Sequence, residues 1–204
     1  MGHERGMAAK PDGGTGVDRG RRQTVGLLVA GGLATIMPAH EVSAANAAKE
    51  RPQPGNELVH AAGERKGQPV APADLAQGKA VGAWAKDPES GTVRSGSRLN
   101  RVILVRIDPE GADGKTKKRM AEGGIVAYSG FCTHAGCAIE NFKPEEQVIV
   151  CHCHSSVFNP QANGKVVSGP AKRSLAGLPV KVEGDRLVVA GEFEGKLGPP
   201  KAGT

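Results

Sequence analysis

Residues Cys132–Ser156 read CTHAGCAIENFKPEEQVIVCHCHSS and contain all four cysteines and three of the six histidines of the 204-residue chain. The metal-binding residue types form two short boxes, CTHAGC at 132–137 and CHCHSS at 151–156, which thirteen residues separate. Each box can bend round a metal and present two ligands from one loop, and mixed thiolate and imidazole ligands suit transition metals and iron–sulfur clusters. The stretch therefore predicts a metal or iron–sulfur site.

The residue types alone leave several assignments open. Two cysteines and two histidines are also a standard zinc set, although a zinc module does not need a spare cysteine pair. The thiolates could come from Cys132 and Cys151, or from Cys137 and Cys153, and the pair left over could stay free. His152 is a further imidazole beside the second box, and we expect it in solvent rather than on the metal.

The two boxes resemble those of Rieske [2Fe-2S] proteins of the cytochrome bc type, whose pattern is Cys-Thr-His-x-Gly-Cys followed by Cys-x-Cys-His-x-Ser. The resemblance covers residues 76–195, closely in the boxes and loosely in the flanks, and Gly169-Pro170-Ala171 resembles the proline loop that covers the cluster. It implies that Cys132 and Cys151 bind one iron, that His134 and His154 bind the other, that Cys137 and Cys153 form a disulfide between the loops, and that Ser156 donates a hydrogen bond to a cluster sulfur.

The resemblance implies a redox function. Two neutral imidazoles in place of two thiolates leave the oxidised cluster without net charge, so it accepts an electron readily. Rieske potentials accordingly lie at about −150 to +300 mV, against about −400 mV for plant-type ferredoxins. We expect one-electron transfer from a mild reductant such as quinol, without substrate catalysis by this chain itself, and with proton transfer coupled to reduction through an exposed ligand imidazole.

Four positions depart from the family's pattern. Phe158 stands where high-potential members often have a tyrosine that bonds a ligand sulfur, and its loss should lower the potential within the Rieske range. Ala135 replaces a leucine at the docking tip of quinol-oxidising members, Ser155 replaces a common glycine, and His152 replaces a proline. These departures argue against a standard bc1 subunit, and the paired arginines of the N-terminal leader also fit the small Rieske subunit of an arsenite oxidase-like molybdenum enzyme.

The expected partners are redox proteins: cytochrome b and a c-type cytochrome, or a molybdenum catalytic subunit, with quinol as the small-molecule donor. A Rieske oxygenase component is disfavoured, because oxygenases lack the spare cysteine pair and need a second iron held by two histidines and a carboxylate. The net charge is +6, but no aromatic residues interleave with the basic ones, which argues against nucleic-acid binding.

Residues 1–44 have the features of an export signal. Arg21-Arg22 precede the apolar run Val25–Met37, and the small residues 42–44 follow, which predicts a twin-arginine signal peptide cleaved after Ala44 or Ala47. The run has thirteen residues, whereas a bilayer-spanning helix needs about 20. The alternative is an uncleaved N-terminal anchor. Both place the domain in the periplasm, soluble or anchored to the inner membrane, where a disulfide is stable.

The remaining sequence predicts an all-β fold, a small antiparallel sandwich or barrel with a cluster-binding subdomain at one end. Thirty glycines and fourteen prolines favour short strands and turns. Expected strands are 78–84, 101–107, 124–129 and 147–150, with a hairpin at 178–190 and one helical turn at 115–120. Residues 45–75 are predicted to be a linker or irregular arm in which His60 is solvated, and residues 196–204 a loose tail.

Overall fold

A computed structural model describes residues 39–76 and 78–200 of the chain, so the apolar run Val25–Met37 and most of the 1–44 segment lie outside the described residues. The helices are α1 (Ala39–Lys49) and α2 (Gly114–Arg119). The strands are β1 (Glu57–His60), β2 (Ala80–Lys86), β3 (Val102–Arg106), β4 (Ile125–Ser129), β5 (Asn141–Lys143), β6 (Val148–Cys151), β7 (Ser156–Asn159), β8 (Lys165–Ser168), β9 (Gly177–Leu178), β10 (Val180–Glu183) and β11 (Arg186–Val189). The predicted all-β class is confirmed.

The strands form two antiparallel sheets. The larger sheet has seven strands in the order β10-β11-β1-β2-β3-β4-β9, and β10 also contacts β4, so the sheet is nearly closed into a barrel. The smaller sheet has four strands in the order β5-β6-β7-β8. It is inserted in the chain between β4 and β9, and it carries both cysteine boxes. The smaller sheet is therefore the predicted cluster-binding subdomain.

Strands β3 and β4 are buried on both faces, which explains their continuous apolar sequences. Val102 and Leu104 point into the core of the larger sheet, whereas Ile103 and Val105 point into a second core. The second core also contains Phe142, Ile149 and Phe158 of the smaller sheet. Because successive side chains of a strand alternate between faces, β3 and β4 join the two sheets through one continuous apolar layer.

The structure corrects the prediction for residues 45–75. Glu57–His60 is not part of a linker: it is strand β1, which pairs with β2 on one side and with β11 on the other. Leu58 and Val59 are both at most 1% exposed. The strand was missed because its four residues stand between proline- and glycine-rich flanks, so the apolar pattern is too short to predict a strand.

His60 is likewise not solvated. Its side chain is 12% exposed, and its Nε2 lies 3.0 Å from Oδ2 of Asp74. Asp74 also accepts hydrogen bonds from Arg65 and from the backbone N–H of Ala71. Burial by itself would raise the pKa of the Asp74 carboxyl, but these hydrogen bonds outweigh burial and hold the pKa below its usual value. The carboxylate therefore stays ionised and fastens the chain after β1.

Two buried polar side chains of the segment between β2 and β3 hold the chain that precedes β1. Arg94, which is 5% exposed, donates from Nη1 to the Ala47 carbonyl at 3.1 Å and to the Glu50 carboxylate at 2.6 Å. Asn100 is fully buried; it donates to the Glu50 carbonyl at 2.5 Å and accepts from Arg51 at 2.7 Å. The end of α1 and the residues after it are thus part of the folded domain.

The predicted loose tail is also corrected in its described part. Glu194 exchanges two backbone hydrogen bonds with Gly177, and Gly198, four residues further on, is buried. The segment that follows β11 therefore packs on the domain as far as Pro199. Within the described ranges 39–76 and 78–200, no helix has the length and apolar content that crossing a membrane requires.

Candidate metal centre

The first box is a tight loop that follows β4. The N–H of Cys132 donates to the carbonyl of Cys137 at 2.9 Å, and the N–H of Gly136 donates to the carbonyl of Cys132 at 3.0 Å. Gly136 has a φ of +74°, in the left-handed region that costs glycine little. The chain therefore folds back on itself, which brings Cys132 and Cys137 side by side and leaves His134 at the turn.

The second box is the turn between β6 and β7. Cys151 at the end of β6 pairs with Ser156 at the start of β7, so residues 152–155 form the connection. Ser155 has a φ of +54°, a conformation that costs a residue with a Cβ about 1–2 kcal/mol. The conformation explains why a glycine is common at this position in the family that the boxes resemble.

Cys137 and Cys153 form a disulfide with an S–S distance of 2.16 Å. The bond joins the first box to the second, as the resemblance implies. The sulfurs of Cys137, Cys151 and Cys153 lie within 4.8 Å of one another. These three sulfurs do not form a metal site, because Cys137 and Cys153 are oxidised to a disulfide and cannot act as thiolate ligands.

Cys132 and Cys151 are not disulfide-bonded, and each is 1% exposed. Both belong to the second core, which also contains Phe158 and Ile149. Burial raises the pKa of the Cys151 thiol, and the neighbouring Cys132 sulfur raises it further, although the N–H groups of Cys153 and His154 lower it in part. A metal centre bound by both sulfurs would stabilise them as thiolates, and the backbone N–H donors beside them would add to this effect.

The two predicted histidine ligands meet at the tip. The ring centroids of His134 and His154 are 4.7 Å apart, and the rings are nearly perpendicular. In the described part of the chain, Nδ1 of His134 is buried without a hydrogen-bond partner, which fits a nitrogen that is reserved for a metal. His154 is exposed, and His152 is exposed as predicted. The donor set of two buried sulfurs and two adjacent imidazoles fits a Rieske-type cluster.

Ser156 connects the second box to the proline loop. Its side chain is fully buried, and its Oγ accepts a hydrogen bond from the N–H of Ala171 at 3.2 Å. The hydroxyl proton remains available for a further acceptor. Gly169 lies so close to the second box that a methyl group there would be 2.6 Å from the carbonyl oxygen of Ser155. The proline loop is therefore packed directly against the box.

Three residues around the first box were not predicted from the sequence. The guanidinium of Arg98 lies 5.3 Å from the centre of the Phe131 ring. The carbonyl of Arg173 accepts a hydrogen bond from Oγ1 of Thr133 at 2.5 Å, and Pro199 approaches Gly136. These residues come from segments more than 25 positions away from the box, and no local sequence pattern reports such contacts.

Comparisons with known proteins agree with this geometry. The "Cytochrome bc1 complex Rieske iron-sulfur subunit" of Streptomyces lividans is 28% identical over 159 residues, which cover 72% of this chain and 94% of that protein. The subunit of the same name from Mycobacterium tuberculosis (strain CDC 1551 / Oshkosh) is 32% identical over 161 residues, covering 70% of this chain but 38% of its own length. The chain spans less than half of several of the relatives that it matches.

Two further similarities concern other kinds of Rieske protein. A "Putative respiratory nitrate reductase subunit Rieske" of Haloferax mediterranei is 36% identical over 107 residues, covering 52% of this chain and 48% of that protein. The solved plasma membrane Rieske protein PetC3 of Synechocystis PCC 6803 shares 30% identity, covers 58% of this chain and 93% of its own, and superposes with a TM-score of 0.38. The family model for the Rieske [2Fe-2S] domain matches residues 84–194, more than half of the chain, and the protein therefore belongs to the Rieske [2Fe-2S] family.

Proposed function

We propose that this chain is the iron–sulfur subunit of a quinol–cytochrome c reductase complex of the bc1 type, in which it carries one electron at a time. The observation that carries the proposal is the meeting of two buried, unbridged cysteines with two histidines at the tip of the smaller sheet. The relatives named as bc1 subunits support the choice of complex.

In this proposal Cys132 and Cys151 bind one iron, and His134 and His154 bind the other. A bound [2Fe-2S] cluster supplies reversible one-electron chemistry at a potential of about −150 to +300 mV. The chain's own residues orient and protect it. The disulfide holds the two boxes together, and the apolar second core keeps water from the two sulfurs. Ser156, whose Oγ is already held by the Ala171 N–H, can donate its proton to a sulfur.

His154 is the proposed contact between solvent, partner and metal centre. It is exposed, whereas Nδ1 of His134 is buried. An imidazole that binds metal through one nitrogen keeps a proton on the other, and that N–H can donate to a docked quinol. The exposed Ala135 at the same tip offers a smaller apolar contact than the family's leucine. Docking of quinol should therefore depend more on the histidine N–H than on an apolar contact.

Residues 1–44 have the features of an export signal, and we propose that the domain is located in the periplasm. Cleavage after Ala44 is favoured over cleavage after Ala47, because the Ala47 carbonyl accepts a hydrogen bond from buried Arg94. A retained anchor remains the alternative. Fractionation of cells separates the two: recovery from the periplasm with Ala45 at the N-terminus supports cleavage, and recovery with the membranes at full length contradicts it.

The ligand assignment is tested with paired histidine variants. His154→Gln should abolish the rhombic EPR spectrum of a reduced Rieske cluster, whereas His152→Gln, which changes an exposed histidine two residues away, should retain it. The iron content of the purified proteins provides the same comparison and requires no activity assay. Loss of the spectrum in both variants, or in neither, would contradict the ligand set, and a wild-type protein without the spectrum would contradict the family chemistry itself.

A second candidate is a Rieske subunit of another respiratory reductase, which the Haloferax mediterranei relative favours. In a reductase of this kind the catalytic subunit accepts the electron, whereas in the arsenite oxidase-like alternative a catalytic molybdenum subunit, rather than quinol, delivers it. The two candidates can be distinguished in membranes by following reduction of the cluster by a quinol and its reoxidation by a c-type cytochrome. Reduction by quinol that bc1 inhibitors block supports the first proposal, and reduction that these inhibitors do not affect supports the second.

A further inference from the structure

The C-terminal segment, defined here as Glu194–Pro200, runs from the larger sheet to the first box. Its start is held by Glu194, which exchanges backbone hydrogen bonds of 2.7 and 3.0 Å with Gly177. Gly198 is buried, and a methyl group on it would lie 2.9 Å from Cδ2 of Leu99. The next residue, Pro199, would lie 3.5 Å from a methyl group on Gly136. The segment thus ends against the loop that carries His134.

Arg173 contacts both the C-terminal segment and the first box. Its Nη2 donates a hydrogen bond to the carbonyl of Gly198. Its own carbonyl accepts a hydrogen bond from Oγ1 of Thr133 at 2.5 Å. Thr133 is 1% exposed and immediately precedes His134. One residue therefore connects the far end of the chain with the neighbour of a proposed ligand.

The loop around His134 is held on both sides. Before the histidine, Thr133 is bonded to Arg173; after it, Gly136 packs against Pro199. A Cβ at Gly136 would also lie 3.0 Å from Nη2 of Arg98, so this side of the loop has no spare room. Outer contacts of this kind orient metal ligands, and their removal commonly costs 10–100-fold in metal affinity.

We propose that Arg173 is a positioning residue for His134, and that it acts by tying the C-terminal segment to the first box. The inference rests on the proposed function, since it concerns the geometry of a metal ligand. Because the guanidinium uses one N–H to reach the Gly198 carbonyl, one donor at that distance from the backbone is sufficient; the long Lys side chain can supply it, whereas the shorter Gln side chain cannot place its amide there. Removing the guanidinium leaves the Thr133 bond, which goes to the Arg173 backbone carbonyl, but releases the C-terminal segment and with it the Pro199 side of the loop, so the imidazole takes a wider range of orientations.

The test compares Arg173→Gln, a chain that ends at Gly195, and the two changes combined. Three quantities are measured on the purified holoprotein: the rate of cluster loss from visible absorbance, the width of the EPR lines, and the midpoint potential. Arg173→Lys, which keeps a donor, is the conservative rescue. Arg186→Gln is the matched control, because Arg186 is half exposed and pairs with Glu57 at a distance from the boxes.

Arg173→Gln and the shortened chain should each speed cluster loss about tenfold, broaden the EPR lines and shift the potential. The combined change should be no worse than either alone, because both remove the same contact. Arg173→Lys should resemble the wild type, and Arg186→Gln should leave all three quantities unchanged. A purely structural role would lower thermal stability without broadening the EPR lines.

Unchanged lines and loss rates in Arg173→Gln would overturn the inference, as would additive effects in the combined variant. If the shortened chain does not fold, Arg173→Gln and Arg173→Lys decide the question by themselves. A wild-type protein that lacks the Rieske spectrum would instead overturn the proposed function, and this outcome is visible before any variant is made.

Discussion

Adjacent serines at the end of the second box show how the site constrains single residues. Ser156 is fully buried and hydrogen-bonded to the proline loop, whereas Ser155 is exposed and adopts a left-handed conformation. Ser156 holds a buried hydroxyl beside the second box, and Ser155 adopts the left-handed backbone conformation that lets the chain turn. Side-chain chemistry and backbone geometry are thus divided between neighbours.

Tyr128 is the single tyrosine of the chain and joins β4 to the smaller sheet. Its ring is 1% exposed, and its hydroxyl donates to the Pro160 carbonyl at 2.6 Å. Tyr128→Phe removes this bond and leaves a buried carbonyl less well satisfied. We expect the free energy of unfolding to fall by about 1–2 kcal/mol at pH 7, measured by urea unfolding; an unchanged midpoint would contradict this role.

Tyr128 should also make the stability of the protein depend on pH. Burial raises the pKa of Tyr128 above its usual value of about 10. The contribution of protonated Tyr128 to the free energy of unfolding is fully present below about pH 10. It is lost as the pH rises through the folded-state pKa, because the unfolded chain releases the proton first. The stability difference between wild type and Tyr128→Phe should therefore shrink above about pH 10. A difference that stays constant to about pH 11 would contradict the shift.

At the scale of elements, the proline loop and the two boxes form one packed unit. The loop after β8 reaches back to Ser156, and β6 and β7 carry the second box between them. Short strands of three or four residues cannot hold a site by their own hydrogen bonds. Their order depends on the second core, where side chains of both sheets meet.

Gly169→Ala should disrupt this unit. A Cβ at Gly169 would lie 2.6 Å from backbone atoms of Ser155 and Ser156, and φ is +85°. Crowding and strain together should cost about 2–5 kcal/mol and weaken cluster retention. Gly184→Ala is the control: its φ is +62° but nothing lies within 4 Å, so it should cost about 1 kcal/mol. Equal unfolding midpoints for the two variants would contradict the close approach of Gly169 to the backbone of Ser155 and Ser156.

At the scale of the whole molecule, the domain begins well before its first strand. Arg94 and Asn100 lie between β2 and β3 and are buried, and Ala47, Glu50 and Arg51 supply part of their hydrogen bonds. Arg94 also pairs with Asn56 and Asp87. A polar group that is buried and then left unpaired is costly. The segment after α1 is therefore part of the stable domain and not a spacer.

A chain that starts at Pro52 should be less stable than one that starts at Ala45 by about 2–4 kcal/mol. Urea unfolding of both proteins measures the difference. In an Arg94→Leu background the same truncation should cost less, because the hydrogen bonds of Arg94 to Ala47 and Glu50 are already absent. Equal losses in both backgrounds would show that Arg94 does not depend on the segment.

Much of the fold could be predicted because its signals are local. Strands β2 to β4, the hairpin of β10 and β11 and the turn-rich composition all follow from short patterns. Strand β1 could not be predicted in this way, since its four residues become a strand only between β2 and β11. A short strand with polar flanks carries too little local preference to be recognised without its neighbours.

The sequence by itself determined the kind of site: the spacing of Cys132, His134, Cys151 and His154 predicts the chemistry, because ligands within one box are close together in any conformation of the loop. Only the tertiary structure decided what surrounds them. Arg98, Arg173 and Pro199 reach the first box from distant segments, and Arg94 recruits the chain before β1. The physical reason is that packing contacts between distant segments arise from the folded shape, which local residue patterns do not encode.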